Sequence, residues 1–450
     1  MRNLLFALML PMLVACAGEL TSEQYMDRAK DYIGEADYAS ASIELQNALK
    51  LDAGLAEARW LLGGIYLDDG NIPAAEHEFR RAQDLGWSED DILPALARTS
   101  LAQGNLDDVL AMDADGLSAP AAASLLSQQA MAALADGQVE KANTLLAQAE
   151  SRDADSTEVK LARATLLITA KDYEGALVEL DAVIEVAPEL DRVWRLRAQA
   201  LMRLERLEEA RDALDKSIEY SRFALADHVA RALLNIQFGE SEAAQADASV
   251  LLEVAPEEPS ANYVQGLLHF QNRNYGPAIK SLTAAEAVAD EYPVIYYHLA
   301  TAYQFEQDIE LSRKYATQFL SRVPESMPGR KVLAITLIQG GEYSAAPVVL
   351  RPLLENAPND LEALNIMANA LLLNDQAYGG LVIYRQMRQL DPEWEIVPLR
   401  REARLITGGS GEVASELLGL GDRDPNFPQT EILEILALVE KEDYPCLLYT

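Results

Sequence analysis

Residues 29–48 read AKDYIGEADYASASIELQNA, and residues 63–82 read GGIYLDDGNIPAAEHEFRRA. Laid over one another at an offset of 34, they match slot for slot. A small residue (Ala29, Gly63) is followed three places on by Tyr (Tyr32, Tyr66). A turn residue (Ala36, Gly70), an aromatic or aliphatic residue (Tyr38, Ile72), and then Ala41 and Ala75, Leu45 and Phe79, Ala48 and Ala82 complete the pattern. The recurring slots predict a unit of two helices joined by a turn, repeated along the chain. The small slot recurs as Ala29, Gly63, Ala97, Ala130, Ala164, Ala198, Ala232, Gly266, Ala300, Ala334 and Ala368, with one step of 33 among steps of 34. The later Ala slot keeps time as Ala142, Ala176, Ala210, Ala244, Ala278 and Ala346, and Pro188, Pro256, Pro324, Pro358 and Pro392 punctuate the ends of units.

This pattern resembles the tetratricopeptide repeat, a helix-turn-helix unit of that length. The resemblance implies an all-α chain, a right-handed superhelix of stacked helix pairs whose neighbours share one core and whose first helices line a concave groove. About twelve units are expected over residues 22–420, with the second helix of the third unit eroded near 107–121, where Asp113 and Gly116 fall in core slots. Residues 421–445 read as the start of a thirteenth unit.

The amino-terminal end carries a different signal. Met1 and Arg2 precede an apolar run from Leu4 to Leu13, too short to span a bilayer, and the run closes in Leu13, Val14, Ala15, Cys16. That closing tetrad resembles the bacterial lipobox, which implies a signal peptide over residues 1–15, lipidation of Cys16 and a tether over 16–21. Several acyl chains would hold such a protein to a membrane permanently. Ala17, where an Asp would favour the inner membrane, leans the expectation to the outer membrane of a Gram-negative envelope, facing the periplasm.

With 37 Lys and Arg against 72 Asp and Glu, the formal charge is -35. Such a field disfavours nonspecific binding to nucleic acid or anionic headgroups. The only other cysteine is Cys446, so with Cys16 lipidated no internal disulfide is expected and stability must come from packing. His77, His228, His269 and His298 are scattered, without a metal-ligand spacing, so neither a metal nor another cofactor is expected.

Catalytic fingerprints are missing from the sequence, and the chain reads as a non-enzyme. Binding has better candidates on the projected groove face. Arg192, Arg195, Gln199 and Arg203 form a basic strip suited to a carboxylate, against a favoured reading in which these arginines pair with Glu205, Glu208 and Glu209. Tyr263, Gln271, Tyr297, Gln304, Asn365 and Asn369 project onto the same face, where rings beside amides would suit sugar or extended peptide, although aromatics at helical spacing are more often core.

The run from Tyr25 to Gly104 is more specific than the repeat alone. Lys30, the stretch Ala41, Ser42, Ile43, Glu44, Leu45, then Asn47 to Leu49, Ala56 to Trp60, Leu62, Leu85, Gly86 and Ile92 to Gly104, together with the lipobox, resemble the tetratricopeptide lipoproteins of exosortase/PEP-CTERM systems, the PrsT type. That resemblance implies a membrane-anchored scaffold holding protein partners in exopolysaccharide production or in PEP-CTERM protein sorting. The alternative is a polysaccharide- or substrate-binding arm of an enzyme or export machine whose remaining domain lies further along. Residues 446–450, CLLYT, resemble the translated end of a sequencing adapter, which predicts a non-native tail on a truncated gene.

Overall fold

The computed structural model describes residues 20–391 except 375. The expected signal peptide, Cys16, the thirteenth unit and the tail at 446–450 lie outside the described residues. Two compact units divide the chain, residues 1–234 and 235–450. In the first, helices pair as α1 (Ser22–Gly34) with α2 (Tyr38–Leu51), α3 (Ala56–Asp68) with α4 (Ile72–Asp84), α5 (Glu89–Ala102) with α6 (Leu106–Leu110), α7 (Ala119–Ala135) with α8 (Val139–Asp153), α9 (Thr157–Thr169) with α10 (Tyr173–Val186), and α11 (Asp191–Arg203) with α12 (Leu207–Tyr220). The boundary falls inside α13 (Leu225–Phe238). The second unit continues with α14 (Ser241–Val254), α15 (Pro259–Gln271), α16 (Tyr275–Ala284), a 3₁₀ turn at Glu286–Val288, α17 (Val294–Phe305), α18 (Ile309–Arg322), α19 (Met327–Gln339), α20 (Ala346–Asn356), α21 (Leu361–Leu373) and α22 (Ala377–Leu390). No strand occurs among the described residues, and none of their helices is long and apolar enough to cross a membrane.

The repeat slots explain the packing. Ala29, Ala97, Ala130, Ala164 and Ala198 are fully buried, which lets the two helices of each pair approach closely. At Gly63 the space for a Cβ is already taken: the Phe79 ring of α4 would lie 2.7 Å from it. Size is thus shared across a pair, Gly opposite Phe79 and Ala29 opposite the buried Leu45, so each layer fills to similar density.

The turns repeat as strictly as the cores. Ala36, Gly70, Gly104, Gly137, Lys171, Glu205, Gly239, Arg273, Gln307 and Gly341 all have positive φ, between 56° and 79°. Each closes the first helix of a pair in a left-handed step that L side chains adopt at a cost. At Gly70 the amide of the next residue, Asn71, returns to the Tyr66 carbonyl at 2.8 Å, and the Asn71 side chain then accepts from the Ala74 amide, capping α4.

The 33-residue step falls in the third pair. There α6 is only five residues long, and the chain leaves the helix from Ala111 to Ser118. Asp113 and Gly116, which the register puts in core slots, are consequently exposed. The carbonyls left open are answered by Gln129 of α7, whose amide donates to Val109 and Met112 at 3.1 and 2.8 Å. Packing of α7 against α5 closes the gap, with Ala97, Val109, Leu125 and Ala132 in one apolar cluster.

Candidate protein-binding groove

Within residues 1–234, the first helices of successive pairs present polar side chains to a common groove. Gln128 of α7 donates to Glu158 of α9 at 3.2 Å, and Arg192 of α11 grips both oxygens of Glu158 at 2.9 and 3.1 Å. Arg195 binds Asp227 of α13 at 2.9 Å through two nitrogens, and Asp191 one turn back at 3.1 Å. Asp227 is 1% exposed and also accepts from the Ser217 hydroxyl at 2.9 Å. The result is a ladder of charge-assisted hydrogen bonds running from helix to helix. Burial pushes the Glu158 carboxyl up, but Arg192 and then Arg98 outweigh it and hold the group below the usual range.

A second set of contacts closes over this groove. The connection from α12 to α13 returns to the corner between α3 and α4, 157 residues back. Arg222 donates to the Ile65 carbonyl at 2.9 Å, reaches Asp68 and Asp69 at 3.3 and 3.4 Å, and stacks 4.0 Å over the Tyr38 ring. It thereby sits at the carbonyl end of α3, where the helix dipole favours a cation. Phe223 lies against Gly70, where an added Cβ would come within 2.7 Å of the ring. Beneath this strap is a cavity of about 500 Å³, and a second of about 540 Å³ adjoins it, the two sharing Leu67, Asp68 and Arg98. Asp68 is pushed up by burial, against the pull of Arg222 and Arg98.

Of the residues expected on the groove, Arg192 and Arg195 line the first cavity, whereas Gln199 and Arg203 are exposed and line neither. Pairing of the two groove arginines is with Glu158 and Asp227, in the units before and after, and not with Glu205, Glu208 or Glu209. The reason is geometric: equivalent positions of adjacent first helices face one another, while Glu209 caps locally with Arg206 at 2.6 and 2.7 Å.

In residues 235–391 the projected face breaks up. Tyr263 is 4% exposed and packs on Tyr292 at a ring distance of 5.0 Å, so it is core and offers no face to a ligand. Tyr297 is half-buried against Phe319 at 5.5 Å. Gln271 is exposed, its amide 3.4 Å from the Ile236 carbonyl, and Gln304 is half-buried. Asn365 and Asn369 accept from the Tyr384 hydroxyl at 3.3 and 2.9 Å, which ties them to the second helix of their own pair. His298, edge-on to Phe270 at 4.6 Å, is a packing residue whose burial lowers its pKa to about 4.

Arg98, Arg222 and the strap were not singled out by the sequence pattern. Arg98 follows the small slot at Ala97 and could have been projected onto the groove from the same register; the strap, depending on curvature accumulated over five pairs, left no local signal.

Comparison with known proteins agrees with the helical-repeat fold. Models of the tetratricopeptide repeat match residues 26–90, 133–200, 191–223 and 229–293. No curated protein matches the sequence. Among solved structures, the Cut9–Hcn1 hetero-tetramer of the APC/C superposes with a TM-score of 0.56 at 15% identity, covering 78% of this chain and 76% of that one. PilF of Pseudomonas aeruginosa gives 0.42 at 18% identity over 51% of this chain and 99% of its own. The P58(IPK) TPR domain gives 0.33 at 13% identity, over 87% and 99%. The repeat models and the Cut9–Hcn1 superposition make the fold an all-α tetratricopeptide-repeat array, a class that binds protein partners.

Proposed function

We propose that this chain is a lipid-anchored scaffold of the Gram-negative envelope, facing the periplasm, that holds protein partners for exopolysaccharide production or PEP-CTERM protein sorting. The observation that carries the scaffold role is the groove of residues 1–234, preformed by the ladder from Gln128 to Asp227 and walled by the Arg222 strap. Its shape is fixed by packing before any partner arrives, which lowers the ordering cost of binding an extended segment. The anchor and pathway rest on the resemblance of Leu13 to Cys16 to a lipobox and of Tyr25 to Gly104 to the PrsT-type lipoproteins. A glycan-binding arm is the weaker reading, because the ring platform it needs loses Tyr263 to the core.

Two experiments test the proposal. A photo-cross-linking residue at Ala102, on the cavity wall, should capture a defined envelope protein in cells, and capture of none at any groove position would remove the scaffold role. Cys16→Ser should shift the chain from the membrane fraction to the soluble periplasm; unchanged fractionation would remove the anchor.

A further inference from the structure

The ladder in residues 1–234 has one open rung. Arg98 makes no hydrogen bond and no ion pair among the described residues, although it is half-buried and stands where the two cavities meet. The acids nearest to it are engaged elsewhere: Asp68 with Arg222, and both oxygens of Glu158 with Arg192 and Gln128. A guanidinium offers five donors in a planar fork that matches a carboxylate, and here Arg98 lines both cavities with none of them taken up. Burial, and the like charge of Arg192 beside it, depress its pKa, and the opposite charge of an arriving anion would offset both.

The walls on either side of Arg98 define the rest of the ligand. Trp60, Pro94 and Pro120 line one cavity; Tyr38, Ile72 and Phe223 line the other. We propose that Arg98 receives the side-chain carboxylate of an extended peptide segment of a protein partner, with an apolar side chain lodged in the cavity on each side. A singly charged carboxylate suits the place better than a phosphate, because Asp68, Asp191 and Glu158 already surround it. The cavities continue past Arg98 in both directions, so the acid belongs inside the segment. This inference rests on the groove being a protein-binding surface and adds the chemistry it selects.

The test uses fluorescein-labelled heptapeptides of sequence Ser-Phe-Ser-Glu-Ser-Leu-Ser, blocked at both ends, and the same peptide with Gln in place of Glu. A third has the central Gln and a free terminal carboxylate. Binding to the full chain is followed by fluorescence polarisation. The Glu peptide should bind at least about tenfold more tightly than either other peptide. Arg98→Gln should remove that preference while leaving the Gln peptide unchanged, and Arg98→Lys should restore part of it. Equal affinity for Glu and Gln, an equal loss for both in Arg98→Gln, preference for the terminal carboxylate, or no binding of any peptide would overturn the assignment. Cross-linking from Ala102 separates the two levels: a captured partner without Glu preference ends the role of Arg98 and leaves the scaffold standing.

Discussion

The two units share one period and fill the space between their first helices differently. In residues 1–234 that space holds a ladder of arginines, acids and an amide; in 235–391 aromatic rings pack there and between first and second helices. Phe270 of α15 meets His298 of α17 at 4.6 Å, and rings also join first to second helices, Tyr275 of α16 on Phe305 of α17 at 4.4 Å and Tyr303 of α17 on Tyr315 of α18 at 5.6 Å. Identical backbone spacing therefore supports a polar, addressable groove in one unit and ring-on-ring packing in the other. Side-chain chemistry at the same slots decides which face is free to bind.

The largest expected effect tests the ladder. Arg195→Ala leaves Asp227 buried with only Ser217 as partner, and should destabilise the first unit by about 2–4 kcal/mol. Urea unfolding followed by tryptophan fluorescence reads this out, since Trp60, Trp87 and Trp194 lie in that unit. An unchanged midpoint would show that Asp227 is not dependent on Arg195.

Acid should separate the units. His298 is held neutral, so the unfolded chain binds the extra proton and the second unit loses stability as pH falls from 6.5 to about 4. The loss is on the order of 3 kcal/mol and should vanish in His298→Phe. Glu158 has a lowered pKa, so its contribution is present above 4.5 and is lost only as pH falls below that. Hydrogen exchange at pH 7 and 5 should show loosening around α17 before any around α9; simultaneous loosening would contradict the contrast.

Arg222→Ala should cost about 1–2 kcal/mol and speed hydrogen exchange at Ile65 to Gly70, with α15 to α21 unaffected. The smallest effect is common to both units. Lys171→Gly and Gln307→Gly each relieve an L side chain at positive φ and should stabilise by about 0.5–1 kcal/mol, measured as a rise in the urea midpoint. A fall would show that those side chains contribute contacts outweighing the backbone relief.

The array itself was legible because its causes are local: small slots, turn residues and terminal prolines recur with the period, and each acts within one helix pair. The groove was only half legible. Register placed Arg192 and Arg195 on the face that lines the first cavity, but their partners lie 34 residues before and 32 after, and only stacking brings them together. The same projection failed at Tyr263 because a ring large enough to bind a ligand is also large enough to fill the layer beneath it, and Tyr292 was there to pack against. Asp113 and Gly116 departed from the register for the opposite reason: a residue too few and no apolar face, so the helix ended and Gln129 took over its carbonyls.

The return of Arg222 to α3 also changes how the first unit can fold. An array of repeats is ordinarily a one-dimensional lattice, in which each repeat feels only its neighbours and unravelling can begin at an end and stop anywhere. A bond between the second helix pair and the residues just past the sixth turns that line into a loop. The pairs between must all be in place before the bond forms, so its energy is granted only to the complete set, at the expense of a slower closing step typical of distant contacts. Fraying from the amino-terminal end is then resisted by residues more than 150 positions away, and the first unit should melt in a single cooperative step where an open array of the same length would unzip.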